Sequence, residues 1–300
     1  GERRWTLRND STIESSPVAG TGVVYFADMT GYLTAVDATT GEVRGKWRAR
    51  QSKTKMKTNM STPAAAGHIV YAAHNSRMWA LDGLTGRPEW DVEVADHRTF
   101  LNPPPTVADG VLYAAEGGHL LALDSATGDR RWDVVPRGGV QQTPTVADGS
   151  VYVGNREGLV VMEAATGEER WRHQDPVRFD EVVAGTGPRA TPAYDQGRIY
   201  TYGSKANVNC LDAATGQVVW QRDLLADYKL ALPMWAYSSS PVVVEGRVYL
   251  YMDLTKFVSK EGEAPAADQA TGDAASLIAL DAQTGLTIWQ LPITGQNYSS

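Results

Sequence analysis

The chain has 300 residues, with 28 basic and 35 acidic side chains and a formal net charge of −7. That balance argues against a general nucleic-acid binder, which would carry a basic face. No apolar run approaches the roughly 18 residues of a membrane span, and the lone Cys210 excludes an intrachain disulfide.

The chain opens on Gly1-Glu2-Arg3-Arg4-Trp5, which matches Gly128-Asp129-Arg130-Arg131-Trp132 further along. The opening therefore reads as the last turn and outer strand of a repeat unit whose first three strands do not precede it. The chain does not begin with Met, which leaves room for a leader or a whole upstream region.

Six full units follow. Each starts at a proline and reaches a tyrosine eight residues later: Pro17/Tyr25, Pro63/Tyr71, Pro105/Tyr113, Pro144/Tyr152, Pro192/Tyr200 and Pro241/Tyr249. Each then runs into an acid, a turn ending in Thr-Gly, and a tryptophan, as in Ala122-Leu123-Asp124-Ser125-Ala126-Thr127-Gly128…Trp132. In all six the acid and the glycine are four residues apart. The Asp accepts hydrogen bonds from turn amides and the Gly supplies the left-handed conformation the turn needs. Trp47, Trp90, Trp132, Trp171, Trp220 and Trp289, with Trp5, are expected to dock one unit onto the next through their large apolar surface and single N–H donor.

Four short strands per unit, glycine-marked turns, no helical periodicity and a period of about 40 residues predict an all-β fold, a β-propeller of four-stranded antiparallel blades. The expected blades are 14–50, 60–93, 102–135, 141–174, 189–223 and 238–292, in one domain over 1–300. The last residues, Asn297-Tyr298-Ser299-Ser300, copy the approach to the sixth unit, so the parent propeller is expected to have seven or eight blades. Spacing between motif tryptophans is 39 to 43 residues, lengthening to 49 and 69 at the end. The longer intervals locate insertions at Arg172–Thr191 and 253–276, the latter small, polar and Pro/Gly-containing, hence loop.

In a meander of four strands, the entry to the first strand and the connection between the second and third lie at one end. The two standard turns lie at the other. The irregular segments are all of the first kind, so function is expected on that loop-rich face. Glu14, Asn59, Asn102, Gln141 with Gln142, Arg189 and Tyr237 sit just before the strand-opening prolines and would converge there. Such a ring suits a polar ligand or a cation, or simply a wet channel mouth. Trp235, on the long loop before the sixth blade, suits a partner contact or packing on the blade ends.

Arg44, Lys46, Arg48 and Arg50 alternate along the first unit's outer strand. They either block edge-to-edge pairing or dock an anionic partner. His68, His74, His97, His119 and His173 show no ligand spacing, so no metal site is expected, although the loops of His74, His97 and His119 on neighbouring units could converge. Cys210 holds the slot of Ala35, Ala80, Ala122, Val161 and Ala279, where a buried inert thiol is expected.

The Ala-Leu-Asp-x-x-Thr-Gly-x-x-x-Trp motif resembles the PQQ-like, or quinoprotein-type, propeller repeat over nearly the whole chain. Two groups share that repeat. The chain is most similar in type to the non-catalytic, outer-membrane-assembly lipoprotein-like scaffolds. The resemblance to the second group implies a PQQ-dependent alcohol dehydrogenase, with PQQ and a calcium or lanthanide ion. Many of those enzymes use a vicinal Cys-Cys lid, and haem-bearing relatives a C-x-x-C-H, neither of which this sequence contains. The expectation is thus an extracytoplasmic, non-catalytic propeller without a cofactor or catalytic residue, binding a protein or small polar ligand on its loop-rich face. Part of a quinone-dependent dehydrogenase and the sensor module of a larger protein are the alternatives.

Overall fold

The repeat prolines mark where strands begin. First strands start at Val18, Ala64, Thr106, Thr145, Ala193 and Val242, each immediately after its proline. Proline fixes φ and has no N–H to offer a ladder, so it is tolerated at a strand's start or on an edge strand and not inside a central one. The computed structural model of the chain describes residues 2–13, 15–48, 61–74, 77–94, 103–140, 142–155, 157–175, 190–228, 237, 239–253 and 275–293. They form six antiparallel sheets of four strands, each a simple meander, numbered 1 to 6 here and spanning 18–48, 64–93, 106–134, 145–173, 193–223 and 242–293. Among the described residues the helix is a short one, Leu224–Tyr228.

A cross-strand row organises each sheet. In sheet 3, Tyr113 lies opposite Ala122, and Ala122 opposite Trp132. The same row is Tyr71–Ala80–Trp90, Tyr152–Val161–Trp171, Tyr200–Cys210–Trp220 and Tyr249–Ala279–Trp289. The middle residue is small, so the two aromatic rings meet across it, with centroids 5.9 Å apart in sheet 3 and 6.2 Å in sheet 4. Such pairs add roughly 0.5–1.5 kcal/mol beyond the area they bury. Cys210 fills this slot at 0% exposure, and burial pushes its thiol pKa up.

The acid-to-glycine turn is built as its residues require. Asp124 Oδ1 accepts from the backbone N–H of Ala126 at 3.0 Å and Thr127 at 3.2 Å. Gly128 has φ 78°, the left-handed region that favours glycine. A Cβ on Gly128 would also lie 2.9 Å from the ring of Trp90. The Trp90 indole donates to Ser125 O at 2.9 Å. Equivalent bonds run from Trp5 to Ala38 O at 3.1 Å, Trp171 to Ala213 O at 3.2 Å and Trp220 to Ala282 O at 3.0 Å.

Trp5 therefore occupies the position an outer-strand tryptophan takes. Its own segment, however, pairs as a strand with no other described residue, apart from a single bridge between Ile13 and Asp28.

By contact density the chain falls into two compact units, Gly1–Pro144 with Ala165–Gly167, and Thr145–Ala164 with Glu168–Ser300. In the first, Tyr25, Leu33 and Ala35 of sheet 1 pack on Val70, Ala72, Trp79 and Leu81 of sheet 2. Sheet 2 in turn packs Tyr71, Met78 and Trp90 on Leu112, Leu121 and Leu123 of sheet 3. In the second unit Tyr152, Leu159 and Val161 of sheet 4 meet Ile199 and Leu211 of sheet 5. The opposite face of sheet 5, with Tyr200, Tyr202 and Val208, meets Val248, Leu250 and Ile278 of sheet 6. Sheets 2 and 5 are thus covered on both faces. That is why five successive residues of sheet 5, Asn207 to Leu211, are buried rather than alternating.

Candidate functional site

The sequence places most candidate residues on segments before and between the sheets. Glu14, Asn59, Asn102, Gln141, Arg189, Trp235 and Arg50 lie outside the described residues, as do the bulk of both insertions. Tyr237 is described. It is 4% exposed, its ring is 5.8 Å from that of Tyr202, and its backbone N–H donates to Ser204 O at 3.0 Å. Tyr237 is thus held against Tyr202 and Ser204 of the second unit.

The basic stripe of sheet 1 sits on its outer strand, Val43–Arg48, and its three described cations each have partners within that sheet or the opening segment. Arg44 pairs with Asp37. Lys46 Nζ lies 3.8 Å from Asp28 Oδ2 and 4.9 Å above the Tyr32 ring, and the Arg48 guanidinium lies 5.3 Å from the same ring. The carboxyl of Asp37 is pushed down to about 2 by the Thr40 backbone N–H, then Arg44, then the Thr39 N–H. The stripe's positive charge is therefore partly offset in place, while its side chains stay accessible to an anionic surface.

Three of the described histidines each sit beside an aspartate: His68 at 4.0 Å from Asp82, His119 at 2.8 Å from Asp133, and His173 at 3.3 Å from Asp175. His119 opens a strand, and His74 closes one. Among the described residues no three His, Cys, Asp or Glu side chains come together as a metal site. Cys210 has no neighbouring cysteine with which to form a vicinal disulfide.

The second unit holds a cavity between sheets 4 and 5. It is lined by Gly154, Leu159, His173, Asp175, Pro192 and Thr201, among others, and its volume of about 20 Å³ admits a group the size of a water. Asn209 pairs directly across from Thr201. Its Nδ2 donates to Thr201 Oγ1 at 3.0 Å and to Asp175 Oδ1 at 3.0 Å. Asp175 Oδ1 also lies 3.3 Å from His173 Nε2. Asn209 is 0% exposed, and its Oδ1 has no hydrogen-bond partner.

Sequence reasoning missed this site, although a signal was there. The pair equivalent to Thr201/Asn209 is Ala72/Trp79 in sheet 2, Ala114/Leu121 in sheet 3, Val153/Val160 in sheet 4 and Leu250/Ile278 in sheet 6. Sheet 1 has Phe26/Thr34. Only sheet 5 puts two polar side chains in the slot. Opposite it, Gly154 stands where the other sheets carry Ala27, Ala73, Ala115, Tyr202 and Tyr251, which leaves the space.

The family described as outer membrane protein assembly factor BamB matches the chain at residues 1–101, 95–184 and 156–299. No curated protein matches it in sequence. Among solved structures, BamB from Moraxella catarrhalis has a TM-score of 0.67 at 16% identity, covering 97% of this chain and 80% of that one. The quinohemoprotein alcohol dehydrogenase of Comamonas testosteroni has a TM-score of 0.62 at 16% identity, covering 95% of this chain, which spans 61% of that enzyme. A europium-containing methanol dehydrogenase has a TM-score of 0.67 at 12% identity, with 97% and 73% covered. At these identities the likeness is one of fold, the propeller of PQQ-like repeats.

Proposed function

As this chain belongs to the family of the outer membrane protein assembly factor BamB, we propose that it is a non-catalytic scaffold that binds protein partners on its loop-rich face. Its partners are components that assemble outer-membrane proteins, and it works outside the cytoplasm. The observation that carries this reading is that the family match runs through every repeat of the chain, from residue 1 to residue 299. No helix among the described residues is long and apolar enough to cross a membrane.

In this reading the tryptophans keep successive sheets in register, so that the segments before the prolines present a stable surface. Trp235 and the two insertions supply variable contacts, and the outer strand of sheet 1 supplies a separate cationic edge.

The experiment sets scaffold against enzyme. The chain is incubated with PQQ and calcium, then assayed for quinone absorbance and dye-linked alcohol oxidation. In parallel it is used to retain partners from solubilised outer membrane. The scaffold reading expects retained assembly components and neither quinone uptake nor turnover. Stoichiometric uptake with alcohol oxidation overturns it.

A further inference from the structure

We infer that the outer edge of sheet 1, with the opening segment laid along it, is a docking surface for an anionic membrane, engaged through its lipid phosphates. The inference rests on the scaffold reading for its setting beside a membrane, and it uses a surface that the partner face does not.

The opening segment is fixed to sheet 1 at three points. The Trp5 indole donates to Ala38 O at 3.1 Å. Asn9 Nδ2 donates to Asp28 Oδ2 at 3.2 Å, and the Met29 N–H donates to Thr12 O at 3.0 Å. From the outer strand, Lys46 Nζ donates to Asn9 Oδ1 at 3.4 Å. The segment therefore runs beside Val43–Arg48, from the turn end of the sheet to its loop-rich end. It brings Arg3, Arg4 and Arg8 to the edge that carries Arg44, Lys46 and Arg48, and all six are exposed.

Within residues 2–13 and 28–48 the exposed acids are Glu2, Asp10 and Glu42. The other two acids are engaged locally. Asp28 is 3% exposed and accepts from the Thr30 and Tyr32 N–H groups. Asp37 accepts from the Thr39 and Thr40 N–H groups and pairs with Arg44. Lys46 and Arg48 are both held at the Tyr32 ring, 4.9 and 5.3 Å from its centroid. Two like charges kept together are relieved by an anion. Of the six outer strands, Val43–Arg48 alone has three cations and no acid, in a chain of net charge −7.

The spread of these cations selects the partner. Alternate residues of a strand stand about 7 Å apart, so Arg44, Lys46 and Arg48 make a row about 14 Å long. A row on an open edge sums its attraction over an extended array of phosphates. Two exposed apolar side chains stand among the cations, Ile13 at 44% and Val43 at 50%. A soluble polyanion leaves them in water, whereas the headgroup boundary of a bilayer takes cationic and apolar side chains together.

The test mixes the full chain with vesicles of phosphatidylcholine, alone or with about one third phosphatidylglycerol, and reads the bound fraction by flotation. The expected result is binding to the anionic vesicles at low salt, little to the zwitterionic ones, and release at about 1 M salt, where the Debye length is about 3 Å. Arg3→Gln, Arg4→Gln and Arg8→Gln made together should weaken partitioning about twentyfold or more, since each cation at the surface is worth about fivefold. Arg87→Gln, Arg137→Gln and Arg247→Gln remove the same charge elsewhere and should change it by less than about twofold. No preference for anionic vesicles overturns the proposal. So does equal weakening by both triple variants, which marks net charge alone, and so does edge-dependent binding of duplex DNA or an acidic peptide in place of vesicles. Should the first triple variant not fold, Arg48→Gln is read instead, with a loss of about fivefold. Partner capture from solubilised outer membrane involves no bilayer. A variant that still captures partners but no longer binds vesicles supports the inference, and failed capture with vesicle binding intact counts against the scaffold reading alone.

Discussion

The ring of Trp47 lies across Gly45, two residues before it on the same strand, and so covers the slot that the other sheets give to the tryptophan itself. In sheet 1, Gly45 stands opposite Ala35, and Trp47 opposite Leu33. The first repeat carries two more residues between its turn glycine and its tryptophan than the others do. An alternating strand absorbs two residues without changing which face its side chains use, and the missing Cβ at position 45 lets the indole fold back over the gap. A Cβ there would meet Trp47 Cη2 at 2.9 Å and overlap the neighbouring ring carbons.

Gly45→Ala is therefore expected to destabilise the chain by about 1–3 kcal/mol, the usual cost of overpacking. The comparison is Val43→Ala on the same strand, where the side chain is 50% exposed and the change is expected to stay within about 0.5 kcal/mol. Denaturant melts of both variants check this. Equal midpoints would show that Trp47 is free to move off the slot.

Trp132 is 8% exposed, and its ring lies 2.9 Å from where a Cβ on Gly167 would stand. Trp132→Ala should cost roughly 3–5 kcal/mol and leave partner recognition intact in whatever fraction remains folded. Trp235→Ala should do the reverse, weakening capture of the partner, by about 2 kcal/mol if it is a true anchor, with little change in melting. If both variants melt equally early, Trp235 is packing and not a contact.

The turn aspartates predict an acid limb. The carboxyl of Asp37 is held at about 2, chiefly by the Thr40 N–H. Asp124 is lowered first by Arg131, and Asp82, Asp212 and Asp281 are lowered first by Thr85, Thr215 and Thr284. A carboxyl whose folded pKa is depressed binds fewer protons folded than unfolded. Its contribution is whole above the ordinary value of 3.8 and is lost as pH falls from there toward about 2. Melting temperature should be insensitive to these groups at neutral pH and drop across that window. Asp37→Asn should flatten part of the drop; an unchanged limb would remove the turns as its cause.

The fold was legible because one repeat explains the next. Strand starts at the prolines, the acid-to-glycine turns and the small residue at Cys210 all follow from local chemistry repeated six times. The opening segment was legible only in part. Trp5 meets Gly41 and Ala38 as a preceding blade's tryptophan would, but its strand has no sheet among the described residues. Thr201 and Asn209 went unnoticed for a physical reason: a polar pair inside a strand reads as an exposed face until the repeats are laid in register. Of the candidate ring, Glu14, Asn59, Asn102, Gln141 and Arg189 fall outside the described residues, so the ring is a proposal from topology.

The central claim is that partners engage the loop-rich face, and a site-specific photo-crosslink tests it most directly. A photoreactive residue is placed at Trp235, before sheet 6, and separately at Thr215, in the standard turn at the opposite end of sheet 5. Each variant is irradiated with solubilised outer membrane and the adducts are identified. The account predicts adducts with outer-membrane assembly components from position 235 and none above background from position 215. Adducts from 215 alone, or equal adducts from both positions, would contradict it.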